Sequence, residues 1–418
     1  MRILFVSDNF PPETNAPATR LYEHAVRWVR AGHRVTVITC APNFPEGKLH
    51  DGYTNSWRQV EDVDGIRVVR VKTFITANEG FVLRTLDYLS FMVMAFAMGL
   101  IEPRPDIVVA TSPQFFSAVA GWVLSVARRR PFVFEVRDLW PASITAVGAM
   151  RKSTIIKVLE HVELFLYRRA AAIVSVTESF RNDLVSRGIS REKIHVVVNG
   201  VDLARYHPRS RETALADELG LTGKFVVGYL GTHGMAHALP GVLEAAERLK
   251  ERKDIAFLFA GSGAERSRIE RIVSERKLSN VRLVPRQPKE RMPALWSVCN
   301  VSLVPLRNSP LFAKVIPSKV FESMGMGVPL LMSLPEGEAT RIVRSTGAGI
   351  CVPPEDPAAL AGAIAELADR PDTVSALRDA AVKAAPRFSR DAGAAEMGRV
   401  LEALCAAWRD ARSPSPIV

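Results

Sequence analysis

Cysteine is scarce in this sequence. There are 4 cysteines among 418 residues, and they lie far apart at Cys40, Cys299, Cys351 and Cys405. No CxxC pair occurs, so the sequence predicts neither a disulfide framework nor a zinc site. Scattered free thiols are typical of a reducing compartment. We therefore expect a cytoplasmic protein that binds no metal and no other cofactor.

Long apolar runs are also lacking. The longest helical run without a charge covers residues 88–101, which is shorter than the about 20 residues that a transmembrane helix needs. Residues 1–6 predict a buried strand rather than a signal peptide, because Asp8 and several prolines follow them. No GxGxxG motif follows this strand, which argues against a dehydrogenase.

Acidic residues are outnumbered, with 44 against 55 basic ones and a formal net charge of +11. The basic residues form short clusters at 128–130, 151–152 and 168–169. Such a surface attracts acidic membranes or phosphorylated substrates, but a solvated positive surface is an equally good interpretation. Aromatic residues are not interleaved with the basic ones, so we expect no nucleic-acid binding.

The remaining pattern is that of an α/β protein. Short apolar runs alternate with helical periodicity in two successive halves, which predicts two parallel sheets covered by helices on both faces. The expected strands are 3–7, 34–39, 66–71, 107–110, 132–136, 172–176 and 195–198 in the first half, and 225–230, 255–260, 281–284, 301–304 and 329–332 in the second.

This pattern predicts two doubly wound domains, at residues 1–205 and 223–385, joined by a linker at 206–222. Residues 386–418 are expected to form a helix that packs back toward the first domain and ends in a frayed tail. In such folds the ligand binds beyond the carboxyl ends of the strands, at the switch point and in the crevice between domains.

The predicted strand 225–230 ends in a turn that contains two glycines and two histidines, Gly231-Thr232-His233-Gly234 and then His237. Glycine lets backbone N–H groups approach an anion, and the dipole of the following helix favours phosphate. A tight turn without a ligand explains these residues equally well.

The segment 314–329 carries a more specific pattern. Pro317 suits the first turn of a helix, so Ser318 and Lys319 are expected at its free N–H groups and positive dipole end. Glu322 follows one turn later on the same face, where a carboxylate can accept two ribose hydroxyls. The alternative is a surface ion pair between Lys319 and Glu322, worth about 0.3–0.5 kcal/mol. The position at a helix start favours a nucleoside diphosphate site.

Four segments together resemble glycosyltransferase family 4. They are DNFPPE at 8–13, VRDLWP at 136–141, NGVD with YHP at 199–208, and the Pro-Ser-Lys-x-x-Glu segment at 317–329. The first two are similar to a subgroup that builds bacterial surface polysaccharide, including L-fucosamine-type transferases of O-antigen and colanic-acid assembly. The resemblance covers essentially the whole chain and implies a GT-B fold, in which two Rossmann-like domains face each other across a cleft.

The resemblance further implies a retaining, metal-independent enzyme. It would move a sugar from a nucleotide diphosphate sugar, with a UDP-sugar expected, to a hydroxyl of a polyprenyl-diphosphate-linked glycan. Such an acceptor fits a peripheral position on the inner face of the plasma membrane. The donor residues carried over by position are Gly231, Thr232, Gly234, His237, Arg286, Lys314, Ser318, Lys319 and Glu322. Lys314 departs from the family pattern, which has a glutamate there.

Three residues are expected to be catalytic. Lys319 is placed to stabilise the departing diphosphate, and Asp138 to orient or deprotonate the acceptor hydroxyl. His233 is expected near the sugar. The alternatives are a helix N-cap for Asp138 and a simple turn residue for His233. Asn15, Arg20 and Arg137 are expected on the acceptor side.

The stretch 81–96 is unusually apolar and aromatic for one helix. It predicts either a buried core helix or an interfacial helix near a polyprenyl-phosphate acceptor. Two other functions remain open, a nucleotide-sugar 2-epimerase of the same fold and a non-catalytic nucleotide-sugar-binding protein.

Overall fold

The computed structural model describes residues 1–44, 46–76, 81–112, 114–139 and 154–412. The chain forms two compact units. The first comprises Met1–Val198 and Asp391–Val418, and the second comprises Asn199–Arg390. The expected frayed tail, at 413–418, lies outside the described residues.

The first unit is built on one sheet. Its strands are β1 (Arg2–Val6), β2 (Arg34–Cys40), β3 (Arg58–Val63), β4 (Ile66–Val71), β5 (Ile107–Thr111), β6 (Phe132–Val136), β7 (Ala172–Ser175) and β8 (Ile194–Val196). The helices described between them are α1 (Ala16–Arg30), α2 (Phe81–Ile101), α3 (Phe115–Arg128), α4 (Thr154–Arg169) and α5 (Glu178–Ser186).

The strand order of this sheet is β3-β4-β2-β1-β5-β6-β7-β8. Only the β3–β4 pair is antiparallel. The residues of β5, β6 and β7 are all buried, as expected for strands with helices on both faces. Because β2 and β5 lie on opposite sides of β1, the switch point of the sheet lies between β1 and β5.

The second unit repeats this plan with β9 (Phe225–Leu230), β10 (Ile255–Ala260), β11 (Val281–Val284), β12 (Val301–Pro305), β13 (Leu330–Ser333) and β14 (Gly349–Val352). Its helices are α6 (Thr213–Glu218), α7 (Leu239–Arg248), α8 (Arg266–Glu275), α9 (Met292–Ser297), α10 (Lys319–Met326), α11 (Glu338–Thr346), α12 (Pro357–Asp369) and α13 (Pro371–Ala384). The strand order, β11-β10-β9-β12-β13-β14, places the switch point between β9 and β12.

The last helix, α14 (Arg390–Asp410), returns to the first unit. Met397, Leu401 and Cys405 join the apolar core that contains Trp28. The indole of Trp28 also donates a hydrogen bond of 2.9 Å to the carbonyl of Ala394. The first unit therefore combines the two ends of the chain.

Two strands are missing from the sequence prediction, β3 and β14. Both lie at an edge of their sheet. Exposed and half-buried residues alternate in β3, and every residue of β14 is half-buried. Neither therefore carries the continuous apolar run by which buried parallel strands are recognised. The expected linker, 206–222, contains α6 and lies within the second unit.

Helix α2 differs most from its prediction. Among the described residues it is the one helix that is long and apolar enough, by length and composition, to cross a membrane, over Leu83–Ile101. Its charged residues, Arg84 and Asp87, are too few to interrupt the apolar character of the helix. Phe91 and Ala95 are buried, whereas Val93 is 58% exposed. The helix therefore packs on the unit by one face and leaves an apolar face uncovered.

Candidate functional site

The turn after β9 lies at the switch point of the second unit. Gly231 has a φ of +141°, and its N–H donates to the carbonyl of Ala260 at 2.8 Å. A Cβ on Gly261 would lie 1.9 Å from the carbonyl oxygen of Gly231. The turns after β9 and β10 thus touch backbone to backbone, which only glycine permits at Gly261.

Lys319 extends from the start of α10 to this turn. A Cβ on Gly231 would lie 3.0 Å from the Lys319 Nζ. The ammonium also lies 4.5 Å from the ring centre of Tyr229 and 3.5 Å from its hydroxyl. Lys319 is only 8% exposed, and burial lowers its pKa to about 8 although the charge of Glu322 opposes this. The second unit therefore holds a largely desolvated cation at its switch point.

The other residues of the predicted donor site differ in exposure. Ser318 is exposed at the N-cap of α10, and its side chain makes no capping hydrogen bond. Glu322, one turn further on, is half-buried, as is Lys314 at the end of a single 3-10 turn. Arg286 is exposed, shortly after β11. The structure places Ser318 and Glu322 on the same short helix as Lys319.

The two histidines of the turn are both neutral at physiological pH. Burial, with the positive charges of Arg266 and Lys319, lowers the pKa of His233 to about 4. Burial and Lys319 do the same for His237, also to about 4. His233 is fully buried, and neither ring nitrogen has a hydrogen-bond partner among the described residues. A buried imidazole in this state can both donate to and accept from a ligand.

In the first unit, Ser112 fixes the segment that follows β6. Its Oγ accepts hydrogen bonds from the backbone N–H groups of Arg137 at 2.8 Å and Asp138 at 3.1 Å. Both side chains are half-buried. The proposed N-cap role of Asp138 depends on residues after 139 and lies outside the described residues. Asn15, expected on the acceptor side, caps α1 by accepting from the N–H of Ala18 at 3.0 Å.

Arg20 occupies a different position from the one expected on the acceptor side. It is 1% exposed and pairs with the buried Glu135 at 2.8 Å. The same guanidinium donates to the carbonyls of Val197 and Val198, at 3.0 and 3.2 Å. Arg20 therefore links α1 to β6 and to the residues that follow β8, and we assign it a structural role.

Sequence reasoning missed a group of carboxylates at the switch point of the first unit. Asp8 lies two residues beyond the end of β1, and burial raises its pKa to about 6. Asp87 lies on α2, and burial together with the charge of Asp8 raises its pKa to about 7. Burial and the charge of Asp8 also raise the pKa of Glu13. The sequence offered two signals for this group, the position of Asp8 near the carboxyl end of a buried strand and the DNFPPE segment that contains Asp8 and Glu13.

The described residues contain no group of three or more His, Cys, Asp and Glu side chains that could hold a metal ion. They do include an open cavity of about 350 Å³ at the start of α7, lined in part by Arg268, Arg307 and Glu355. None of the predicted donor residues lines it. We give more weight to the switch point, because its side chains match the chemistry of a diphosphate.

Family models match both units. A glycosyl transferase 4-like domain matches residues 15–200, and a glycosyl transferases group 1 domain matches residues 210–387. The chain is 26% identical over 375 residues to a protein of Escherichia coli (strain K12) named as the colanic acid biosynthesis glycosyl transferase WcaI. This similarity covers 87% of this chain and 91% of the relative.

Solved structures share the fold at lower identity. A sucrose-phosphate synthase from Thermosynechococcus elongatus matches with a TM-score of 0.76 and 19% identity, covering 97% of this chain and 99% of that one. Anabaena HepE, solved in complex with UDP and glucose, matches with a TM-score of 0.70 and 16% identity, covering 96% and 99%.

Proposed function

The chain belongs to the glycosyltransferases that combine a 4-like domain with a group 1 domain, and we propose that it transfers a sugar from a UDP-sugar to a lipid-linked glycan. The donor binds to the second unit and the acceptor to the first. The reaction retains the anomeric configuration and needs no metal ion. The sugar is an N-acetylated amino or deoxy sugar, and the product is a bacterial surface polysaccharide.

One observation carries the donor half of this proposal, the buried ammonium of Lys319 beside Gly231 at the switch point between β9 and β12. A cation without its full hydration shell interacts strongly with a diphosphate, because the local dielectric is low. The amides at the start of α10 and the exposed hydroxyl of Ser318, which makes no capping hydrogen bond, add hydrogen-bond donors. Glu322 lies one turn further along, where a carboxylate can accept the ribose hydroxyls.

During transfer, the bond between the anomeric carbon and the β-phosphate oxygen breaks, and its electron pair leaves with UDP. A new bond forms between the anomeric carbon and the acceptor oxygen on the face from which UDP departs, so the configuration is retained, and Asp138 takes the hydroxyl proton. Negative charge therefore grows on the diphosphate, next to Lys319. His233 lies within the turn beside this site, and because it is buried and neutral it adds no second cation next to the diphosphate. Gly231, Thr232, Gly234, His237, Lys314 and Arg286 complete the proposed donor site.

The acceptor half rests on the switch point of the first unit, between β1 and β5. We place the acceptor hydroxyls near Asp138 and Arg137, with Asn15 at the start of α1. Asp8 and Asp87 lie at the same edge and accept hydrogen bonds from sugar hydroxyls. Carboxylates whose charge is already penalised by burial gain from such donors.

The exposed face of helix α2 supports the proposal that the acceptor carries a lipid. Leu86, Val93 and Leu100 are exposed and follow each other at intervals of seven residues, which places them on one face. The side chain of Arg128 hydrogen bonds to the carbonyl of Glu102 just beyond this helix. An apolar helix face with an arginine near one end suits the surface of an acidic membrane. We propose that this face contacts the inner leaflet of the plasma membrane.

A panel of nucleotides and nucleotide sugars tests the donor proposal by the shift in thermal unfolding midpoint, since a ligand of the folded state raises stability. UDP and a UDP-sugar should raise the midpoint, and Glu322→Gln should weaken this effect without lowering the midpoint of the free protein. Glu275→Gln, at an exposed position on α8, is the matched control. If no nucleoside diphosphate or nucleotide sugar shifts the midpoint, the proposal is wrong. Conversion of a UDP-sugar into its 2-epimer in the absence of any acceptor would favour the nucleotide-sugar 2-epimerase.

A further inference from the structure

Tyr229 connects Lys319 to the turn that follows β9. Its ring lies 4.5 Å from the Lys319 Nζ, and the Nζ donates a hydrogen bond of 3.5 Å to its hydroxyl. The same hydroxyl donates a 2.5 Å hydrogen bond to the carbonyl of Thr232. One side chain therefore contacts both the cation and the turn that the cation approaches.

The ring of Tyr229 has little freedom to move. It is almost fully buried at the end of β9 and belongs to the main apolar core of the second unit. Phe259 contacts it with a centroid separation of 5.8 Å, and His233 and His237 do so at 5.7 and 5.8 Å. A rigid aromatic face fixes the position of a cation that contacts it, since the interaction depends on the ring quadrupole.

The surroundings of Lys319 make this contact important. Burial removes most of the hydration of the ammonium, and the neighbouring imidazoles of His233 and His237 are neutral. Glu322 is the carboxylate whose charge favours the ammonium. Loss of a desolvated cation–π contact is expected to change an equilibrium constant by about tenfold or more.

We propose that Tyr229 is a positioning residue for the donor site, which holds the Lys319 ammonium beside Gly231 and favours its charged form. This inference rests on the proposed function, in which Lys319 binds the donor diphosphate. Tyr229 itself contacts Lys319 and the turn rather than the reacting atoms. The ring supplies the electrostatic part of this role, and the hydroxyl supplies the link to Thr232.

The test is UDP binding by isothermal titration between pH 7 and 9.5, with wild type, Tyr229→Phe and Tyr229→Leu. Phe259→Leu is the matched control, because it removes a buried ring from the same cluster and leaves Tyr229 in place. We expect wild type to lose affinity as Lys319 deprotonates above a pH of about 8. Tyr229→Leu should bind UDP about tenfold more weakly than Phe259→Leu and lose affinity at a lower pH, since the charged form has lost its aromatic partner.

Tyr229→Phe keeps the ring and should keep the wild-type pH midpoint. The neighbouring imidazoles do not titrate in this range, because His233 and His237 change charge at lower pH, and burial raises the pKa of Tyr229 above it. A merely structural role would lower stability and leave the midpoint unchanged. Equal affinities and midpoints for Tyr229→Leu and Phe259→Leu, with wild type binding UDP, would overturn the inference. Failure of wild type to bind UDP would instead overturn the proposed function, and this inference with it.

Discussion

Lys319→Met is expected to stabilise the protein while it removes donor binding. The pKa of Lys319 falls from 10.5 to about 8 in the folded state, because burial disfavours the ammonium. A difference of about 2.5 pKa units, at 1.36 kcal/mol per unit, means that folding loses about 3 kcal/mol at pH 7. Methionine keeps an apolar stem of similar length against Tyr229 and has no charge to desolvate.

The sign of the pH dependence follows from proton linkage. Between pH 8 and 10.5 the unfolded chain keeps the lysine protonated while the folded chain does not, so wild-type stability rises with pH in this interval. Lys319→Met has no such group. The stability difference between the two proteins should therefore be largest below pH 8, shrink as pH rises from 8 to 10.5, and vanish above this range.

Urea unfolding at several pH values, followed by a probe of the second unit, measures this difference. At pH 7 we expect Lys319→Met to be more stable by up to about 3 kcal/mol, and UDP to give no further stabilisation. Glu322 is half-buried and keeps contact with solvent, so its loss of a cationic neighbour should offset only part of the gain. A variant that is less stable than wild type at pH 7, or a difference that stays constant with pH, would refute the reasoning.

Three further predictions concern the rest of the molecule. Glu135→Gln should destabilise the first unit by about 3–5 kcal/mol in urea unfolding, because it leaves the Arg20 charge buried without its carboxylate. Gly261→Ala should cost more than about 3 kcal/mol, since its φ is +153° and a Cβ would meet a backbone oxygen at 1.9 Å. Gly362→Ala, which has open space around it, should leave the melting temperature unchanged or slightly higher. Val93→Glu should reduce sedimentation with anionic lipid vesicles without lowering the melting temperature, and unchanged sedimentation would count against the membrane-facing role of α2.

Much of the fold follows from local sequence pattern. Buried parallel strands need continuous apolar residues, so β1, β5, β6, β9 and β10 are recognisable from the sequence alone. The edge strands β3 and β14 are half solvated and carry no such run. The uncharged run at 88–101 understates the length of α2, because Arg84 and Asp87 interrupt that run but not the helix, which begins at Phe81.

In the candidate site, too, the sequence predicts relations between neighbouring residues but not between residues that lie far apart in the chain. Ser318, Lys319 and Glu322 lie within one turn of each other on α10, so their spacing alone predicted a shared helix face. Arg20 has no local signal for its partner, because Glu135 follows it more than a hundred residues later in the sequence. Its burial, and with it its structural role, became visible only when α1 was packed against β6.

Short-range periodicity and motif spacing were sufficient to predict two doubly wound units, the membership of the chain in a glycosyltransferase family and the helix that carries the proposed donor residues. The contact between Tyr229 and the Lys319 ammonium, and the electrostatic interaction between Asp8 and Asp87, became visible only in the folded structure. These pairs come from separate segments, and their pKa values depend on burial, which exists only after the segments pack. The chemistry of the site is therefore a property of packing, although the residues that supply it are present in the local pattern.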